Sequence, residues 1–274
     1  MKFAKMQATG NDFIVVDAHD MERDWSRLAK AMCQRHFGVG ADGLILFLPS
    51  KSADLCMRIF NPDGSEAEAC ANGLRCLARY AVEMGTADVG RELAVETMAG
   101  IRKVRPLAGG SEVGMGVPRL KAEEIPMLVE GQVDIILDYP VTVKGEKLLL
   151  TCLSLGNPHA VCFPEEAVEN FPLSELGPIV ESQPIFPNRV NFEVANVLGR
   201  KKVKVRVWER GVGETLSCGT GACAVAVAAR LHGQVDNHVD IILPGGTLTV
   251  DWDGVGEVVL SGPAELVFWG EWPD

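Results

Sequence analysis

Two of the eight cysteines stand in similar settings, Cys70-Ala71-Asn72-Gly73 and Cys218-Gly219-Thr220-Gly221. A run of apolar residues follows each motif, which predicts that each cysteine lies at the start of a helix. Backbone N–H groups in the first turn of a helix lack partners within the helix and favour a thiolate, so they lower a cysteine pKa. We therefore expect two thiols that can gain and lose a proton near neutral pH.

Such a pair of thiols is suited to inverting a tetrahedral carbon, which needs a base on one face and an acid on the other. Cysteine can serve as either, because its pKa can be set near the working pH. The helix N–H groups beside each thiol would also bind the carboxylate of an amino acid. The other cysteines are interpreted as small buried apolar residues: Cys33, Cys56, Cys152 and Cys162, with Cys76 and Cys223 packed inside the two helices.

The chain contains an internal repeat that places one of these cysteines in each half. Met57-Arg58-Ile59-Phe60-Asn61 matches Val205-Arg206-Val207-Trp208-Glu209, and Glu66 precedes Cys70 by the same four residues that separate Glu214 from Cys218. Several matches in one order at nearly one offset indicate a duplication. The predicted halves are residues 1–117 and 118–262, with residues 263–274 returning to the first half as a last strand.

Short apolar or alternating runs predict strands at Asp12–Asp17, Leu44–Leu48, Leu55–Phe60, Leu93–Thr97, Val203–Trp208, Val239–Leu243 and Val258–Ser261. The spacing of apolar residues from Trp25 to His36 predicts an amphipathic surface helix that stops at Gly38. The helices after Cys70 and Cys218 are expected to end at Gly85 and Gly233. Because they are apolar on nearly every side, each half should wrap a sheet around one of them.

Composition excludes several classes of protein. The chain has 274 residues, a formal charge of −11 and no long basic run, which argues against binding to nucleic acid or to an anionic membrane. No signal peptide and no transmembrane helix are predicted, so we expect a cytoplasmic protein with reduced thiols. No pair of cysteines has the C-x2-C spacing of a zinc site.

Over nearly its whole length the sequence resembles the diaminopimelate epimerase family. The motifs that carry the resemblance are the two cysteine motifs together with Gly10-Asn11-Asp12-Phe13, Gly38-Val39-Gly40-Ala41-Asp42-Gly43, Phe60-Asn61-Pro62-Asp63-Gly64-Ser65-Glu66, Gly156-Asn157-Pro158-His159, Asn191-Phe192 and Glu209-Arg210-Gly211. The resemblance implies an isomerase that interconverts LL- and meso-diaminopimelate, in lysine and peptidoglycan synthesis, with no pyridoxal phosphate, other cofactor or metal. It also implies a small-molecule substrate and a homodimer.

The fold implied by the resemblance is of the α/β (α+β) class. Each of two pseudo-symmetric domains would be a mostly antiparallel sheet or barrel around a central buried helix, with the active site in the cleft between them. This agrees with the fold expected from the repeat and from the two apolar helices.

The resemblance also implies roles for particular residues. Cys70 and Cys218 would be the catalytic pair, and His159 and Glu209 would adjust their pKa values. The residues that would bind the substrate are Asn11, Asn61, Ala71, Asn72, Asn157, Asn191, Glu209, Arg210, Gly219 and Thr220. Arginine can bind a carboxylate with two hydrogen bonds and a glutamate can accept from an ammonium, so this set fits a substrate with a second amino-acid end.

Two positions depart from the family pattern. Ala71 stands where glycine is common, and we expect it to be tolerated because its backbone should be helical. Gly43 stands where some relatives have glutamine, so one contact near the reacting end of the substrate is expected to be missing.

Three other functions are considered. Gly38-Val39-Gly40-Ala41-Asp42-Gly43 matches the G-x-G-x-x-G fingerprint of dinucleotide-binding proteins, but it follows a predicted helix and precedes a strand, the reverse of the required order. A racemase of the same fold acting on proline or histidine is a closer alternative, against which Asn72 and the distal set argue. The third is an amino-acid-binding protein without activity, against which both cysteines argue.

Overall fold

The computed structural model describes residues 1–68, 70–131 and 133–273. It has four helices and eighteen strands within these residues, and the chain divides into two compact units. The first unit comprises Met1–Gly114 and Ser261–Asp274, and the second comprises Met115–Leu260. The last strand predicted within residues 263–274 is observed at Glu265–Glu271, in the first unit.

The first unit is a sheet with two helices. Its elements are β1 (Lys2–Ala8), β2 (Asn11–Asp17), α1 (Trp25–Cys33), β3 (Gly43–Leu48), β4 (Leu55–Phe60), β5 (Glu66–Ala67), α2 (Ala71–Glu83), β6 (Leu93–Thr97), β7 (Gly100–Leu107), β8 (Gly110–Gly114) and β18 (Glu265–Glu271). The pairs β2–β3 and β4–β6 are parallel, and the other described pairs are antiparallel.

The second unit repeats this plan. Its elements are β9 (Ile136–Val143), β10 (Glu146–Ser154), β11 (Pro158–Cys162), α3 (Leu173–Glu181), β12 (Asn191–Gly199), β13 (Lys202–Glu209), β14 (Gly213–Thr215), α4 (Gly219–Leu231), β15 (His238–Leu243) and β16 (Gly246–Asp251), followed by β17 (Val259–Pro263), which runs past the end of the unit. Here β11–β12 and β13–β15 are the parallel pairs.

The pairing order of the strands is the same in both units. The pairs β1–β2, β2–β3, β3–β4, β4–β5, β4–β6 and β6–β7 run in the same directions as the pairs β10–β11, β11–β12, β12–β13, β13–β14, β13–β15 and β15–β16. Strand β18 flanks β1 as β9 flanks β10. The sequence-based fold class is confirmed, with the addition that each mostly antiparallel sheet contains two parallel pairs.

One buried helix lies against the strands of each unit. Helix α2 contacts β1, β2, β3, β4, β7, β8 and β18, and α4 contacts β10, β11, β12, β13, β15 and β16. Nearly every residue of α4 is buried, because its alanine and valine side chains are small and apolar all round. Both helices end two residues before the predicted glycine, with Gly85 and Gly233 in the left-handed region that glycine favours.

Three details differ from the sequence-based predictions. Helix α1 ends at Cys33 rather than near Gly38, because Gln34 is extended, so His36 is exposed beyond the helix. Helix α3 was not predicted, since it contains Gly177 and Pro178, which rarely occur inside helices. Most predicted strands begin or end one or two residues away from the observed limits, as is usual for boundaries read from a pattern.

Candidate active site

Both candidate catalytic cysteines cap the central helix of their unit, as the sequence predicted. Cys70 is the N-cap residue of α2 and its sulfur accepts a hydrogen bond from the backbone N–H of Gly73 at 3.5 Å. Cys218 is the N-cap residue of α4 and accepts from Gly221 at 3.4 Å. Ala71 is the first residue of α2 and has helical backbone, so its methyl group is tolerated as expected.

A matched ion pair supports the chain ahead of each cysteine. Arg58 binds Glu66 through two hydrogen bonds of 2.6 and 2.8 Å. Arg206 binds Glu214 in the same manner, at 2.8 and 3.1 Å. Each pair joins the two strands of the short hairpin that leads to the cysteine, β4–β5 or β13–β14. The repeated Arg and Glu positions in the sequence therefore hold equivalent hairpins.

Cys218 lies in an acidic and buried environment. Burial raises the pKa of its thiol well above the usual value, and the carboxylates of Glu209 and Glu193 raise it further. Hydrogen bonds from Thr220 and from the N–H of Gly221 oppose this rise without cancelling it. The expectation that the helix start would lower the pKa of Cys218 is thus wrong, because loss of solvent and two negative neighbours outweigh the helix N–H groups.

Glu209 is a buried carboxylate that lies in hydrogen-bond contact with Cys218. Its carboxylate accepts a hydrogen bond of 2.5 Å from the hydroxyl of Thr215 and interacts with the sulfur of Cys218. Burial raises the pKa of Glu209, although these hydrogen bonds oppose the rise.

Asn157, His159 and Thr220 are joined by hydrogen bonds. His159 Nε2 lies 3.0 Å from Asn157 Oδ1, and Asn157 Nδ2 donates to Thr220 Oγ1 at 3.3 Å. Thr220 Oγ1 lies 3.5 Å from the sulfur of Cys218. Gly219, which begins α4, is buried beside it. In this unit the structure brings together five residues that the sequence singled out.

Asn191 and Arg210 are also brought together. Asn191 accepts from the backbone N–H of Arg210 at 3.0 Å and donates to the carbonyl of Pro158 at 2.9 Å. The guanidinium of the exposed Arg210 donates to the carbonyl of Asn188 at 2.9 Å. Asn191 therefore orients the segment that carries Arg210.

The sequence did not identify Glu181, which supports the same segment. Its carboxylate accepts from Trp208 Nε1 at 2.8 Å and from the backbone N–H of Gly211 at 2.9 Å. Arg189 also pairs with it, at 3.1 Å. Glu181 lies on α3, the helix that the sequence pattern did not reveal, so no local signal could have found this contact.

In the first unit, Asn11 is held by its neighbours. Asn11 Nδ2 donates to Asp42 at 2.7 Å, and Asn72 Nδ2 donates to Asn11 Oδ1 at 3.2 Å. Arg35 donates to Asp42 at 2.6 Å and to Asp12 at 2.7 Å. The contact of Asn72 with Asn11 matches that of Thr220 with Asn157, so the repeat extends to this polar pair.

Asp42 gives the glycine motif at residues 38–43 a local function. The motif follows α1 and precedes β3, so its order is reversed relative to a dinucleotide-binding fingerprint, as the sequence indicated. Its aspartate accepts from the side chain of Asn11 and the N–H of Asp12. A search for polar partners of Asn11, rather than for a nucleotide motif, would have identified Asp42 from the sequence.

Asn61 begins the turn that follows β4. Its amide donates to the hydroxyl of Ser65 at 2.9 Å, and its backbone N–H donates to the carbonyl of the same residue. Asn61 occupies the position that matches Glu209 in the second unit, because each residue stands at the end of the strand before the hairpin. At these matched positions ahead of the two cysteines, the first unit therefore has the neutral amide of Asn61 and the second unit has the carboxylate of Glu209.

Most of the remaining cysteines are buried, as expected for small apolar residues. Burial raises the pKa values of Cys33 and Cys162 to about 11, and it raises those of Cys76 and Cys152 further. Cys223 is also fully buried. Among the described residues, no group of histidine, cysteine and carboxylate side chains could hold a metal ion.

Comparison with known proteins identifies the family. The family model described as "Diaminopimelate epimerase" matches residues 3–121 and 151–267. The chain belongs to the diaminopimelate epimerase family. The diaminopimelate epimerase of Moorella thermoacetica is 50% identical, with 100% of this chain and 99% of that protein covered. The diaminopimelate epimerase of Carboxydothermus hydrogenoformans is 47% identical, with 99% of each chain covered.

Solved structures of this fold include two more distant proteins. The Bacillus anthracis phenazine biosynthesis protein of the PhzF family has a TM-score of 0.69 at 18% identity, covering 100% of this chain and 99% of that one. A hydroxyproline epimerase from Agrobacterium vitis has a TM-score of 0.68 at 15% identity, covering 98% and 91%. These likenesses establish the fold. Within the described part of the epimerase-family chain, no helix is both long and apolar enough to cross a membrane.

Proposed function

We propose that this chain interconverts LL- and meso-diaminopimelate without a cofactor, with Cys70 and Cys218 as the proton-transferring pair. The observation that carries the proposal is that each cysteine caps the central helix of a duplicated unit in the same manner. A duplication provides two equivalent positions, and inversion of a stereocentre needs a base on one face and an acid on the other, roles that one residue type such as cysteine can fill. The boundaries of the two catalytic halves are proposed to be residues 1–117 with 263–274, and 118–262.

The proton balance of the reaction is closed within the pair. One cysteine, as a thiolate, takes the α-proton and becomes a thiol, while the opposite cysteine gives its thiol proton to the other face of the carbon. The substrate is inverted, and the two cysteines have exchanged protonation states. Catalysis in the reverse direction, or proton exchange with solvent, restores the starting state.

The α-carboxylate and the negative charge that develops beside it are proposed to be bound by Asn11, by the backbone at Ala71-Asn72 and by the backbone at Gly219-Thr220. These N–H groups lie in the first turns of α2 and α4, where helix donors stabilise an anion. His159 and Glu209 are proposed to adjust the protonation of the thiols. The raised pKa of Glu209, which burial causes, supports its role as the proton partner of Cys218.

The distal amino-acid group is proposed to be bound by Asn61, Asn157, Asn191, Glu209 and Arg210. Arg210 would bind the distal carboxylate, and its exposed guanidinium on a segment held by Asn191 supports this role. Arg210→Ala is expected to lower kcat/KM for diaminopimelate about 100-fold, because a charge-assisted bidentate contact is lost. Unchanged kinetics with diaminopimelate, measured beside a panel of proline and histidine, would contradict the assignment.

We further propose that the protein acts as a homodimer in the cytoplasm. A pair of catalytic thiols must stay reduced, and the cytosol maintains thiols in that state.

The function is tested by incubating the protein with LL-diaminopimelate in heavy water. We expect loss of the α-proton, measured by NMR, and appearance of the deuterated meso isomer, measured by chiral chromatography. Exchange with proline or histidine but not with diaminopimelate would favour a different racemase. Binding without exchange would indicate a protein that has lost the activity.

A further inference from the structure

The residues beneath the two capped helices occupy equivalent positions but differ in chemistry. In the first unit Phe13 pairs with Gly43 and Val15 with Ile45 across the parallel strands β2 and β3. In the second unit His159 pairs with Asn191 and Val161 with Glu193 across β11 and β12. The register therefore matches Phe13 with His159, and Ile45 with Glu193.

The contacts with the helices confirm this equivalence. A Cβ atom placed on Gly73 of α2 would lie 3.2 Å from Ile45 Cδ1. A Cβ atom placed on Gly221 of α4 would lie 2.9 Å from Glu193 Oε1. Ile45 and Glu193 thus pack at the same place, against the third residue of the helix that a cysteine caps.

The histidine and glutamate of the second unit form a fully buried pair. His159 Nδ1 lies 2.7 Å from Glu193 Oε1, and neither side chain is exposed to solvent. Within the described part of the chain, Glu193 Oε2 has no hydrogen-bond partner. Burial of such a group costs free energy unless its charge is compensated. Since an apolar pair fills the equivalent place in the first unit, packing alone does not require the ionisable pair.

A continuous chain of contacts leads from Glu193 to the sulfur of Cys218. The pair with His159 is followed by the 3.0 Å contact with Asn157, the 3.3 Å hydrogen bond to Thr220 and the 3.5 Å contact with the sulfur. We propose that Glu193 is a positioning residue for proton transfer at Cys218, acting through His159, Asn157 and Thr220. This inference rests on the proposed function, in which Cys218 transfers a proton.

The chain of contacts has two consistent arrangements of hydrogens. With Nδ1–H held by Glu193 and a charged ring, His159 donates from Nε2 to Asn157, whose amide donates to Thr220, and the hydroxyl donates to a Cys218 thiolate. With a neutral ring, Nε2 accepts, the amide of Asn157 is reversed, Thr220 donates to the amide and the Cys218 thiol donates to Thr220. Glu193 holds one end of both arrangements, because its carboxylate accepts the Nδ1–H of His159 in each.

Other groups also interact with Cys218 or with Glu193. Glu209 on β13 interacts with the sulfur directly, and the N–H of Gly221 donates to it from α4. Cys152 on β10 is a buried thiol whose pKa is raised by burial first and by Glu193 second. The effect of Glu193 on Cys218 must therefore be separated from that of Glu209. For this reason the variants described below leave Glu209 unchanged.

The test compares Glu193→Gln with the control Glu169→Gln, which removes an exposed carboxylate of the same unit that pairs with Lys204. The alkylation rate of Cys218 by iodoacetamide is followed against pH by mass spectrometry of its peptide. Because Glu193→Gln removes a negative neighbour, the pH midpoint of Cys218 alkylation should fall by about one pH unit in this variant. The midpoint should not change in the control. The epimerisation kcat should fall about 10- to 100-fold with little change in KM.

Thr220→Val tests whether the effect passes through the hydroxyl. If it does, Thr220→Val should lower kcat, and adding Glu193→Gln should lower it little further. Multiplicative losses in the double variant, or an unchanged alkylation midpoint in a folded Glu193→Gln protein, would overturn the proposal.

A second variant keeps the test decisive if Glu193→Gln does not fold. His159→Phe combined with Glu193→Ile copies the pair Phe13 and Ile45, which packs at the equivalent place. Its alkylation midpoint should fall in the same direction, and an unchanged midpoint would refute the inference. Because alkylation does not depend on turnover, a shifted midpoint without deuterium exchange in the unaltered protein would show that the proposed function, and not the positioning effect, is wrong.

Discussion

The two central helices of this chain share one scaffold and differ in what surrounds it. Both are thirteen residues long, both begin after a capping cysteine, and both follow a hairpin held by a bidentate arginine–glutamate pair. Around Cys218 stand two carboxylates and a histidine, whereas the matched positions in the first unit hold Asn61, Ile45 and Phe13. Duplication thus preserved the backbone that presents a thiol, while the groups that adjust its proton diverged.

The interiors of the two helices also differ, and here the charged side chain lies in the first unit. Arg75 in α2 is fully buried and donates to Thr9 and to the carbonyl of Pro263, whereas α4 has Cys223 at the matched place. Thr9 has a φ of 51°, a strained value for a β-branched residue, in the turn that leads to Asn11. The first unit therefore places a buried charge beside the turn that leads to Asn11, and the second places one beneath the start of the helix that Cys218 caps.

The largest expected effect comes from removing either thiol. Cys70→Ala and Cys218→Ala should each lower epimerisation by about 1,000-fold or more, since a general acid or base is lost from one face of the carbon. Circular dichroism should show an intact fold. Near-normal turnover in either variant would mean that the two helix starts are not functionally equivalent.

The buried arginine should matter more to stability than its matched cysteine. Arg75→Met leaves Thr9 without its charged donor and is expected to cost about 2 to 4 kcal/mol of unfolding free energy. Cys223→Ala removes only a small apolar group and should cost about 1 kcal/mol. Urea denaturation of both variants measures the difference, and equal losses would show that Arg75 contributes packing alone.

Asp12, which follows Asn11 in the chain, should make the stability of the first unit depend on pH. Burial raises the pKa of Asp12, but hydrogen bonds from Arg35 and Lys5 bring it down to about 2. Since the folded pKa lies below the unfolded value, Asp12 stabilises the fold above about pH 4 and loses this effect as the pH falls towards 2. Asp12→Asn should therefore cost about 1 kcal/mol at pH 7.

Urea denaturation of the Asp12→Asn variant at pH 7, and again as close to pH 2 as the fold allows, measures this dependence. The stability difference from the unaltered protein should shrink towards acid pH. A difference that stays constant with pH would show that the ion pairs of Asp12 contribute no net charge interaction.

The smallest effect is expected at the first residue of α2. Ala71→Gly restores the residue that is common in the family and matches Gly219 of α4. Because the backbone is helical there, the change should cost about 0.5 kcal/mol and alter turnover less than twofold. A marked gain in turnover would show that the methyl group limits the approach of the substrate carboxylate.

Much of the candidate site could be read from local sequence. The capped helices, the repeated strand–hairpin–cysteine unit and the residues of the polar motifs follow from glycine placement, apolar periodicity and an offset that the chain repeats. These features are local, and local backbone preferences decide them. The pairing Arg206–Glu214 could even be inferred from its copy, Arg58–Glu66, once the repeat was recognised.

Tertiary structure alone decided which groups stand near each other across the chain. Glu193 lies on a buried strand and reads as one polar residue in an apolar run, yet strand register places it beneath Cys218 and beside His159. Glu181 reaches the segment of Arg210 from a helix that the sequence pattern did not predict. The direction of the pKa shift at Cys218 depends on burial and on these distant carboxylates, which no local motif encodes.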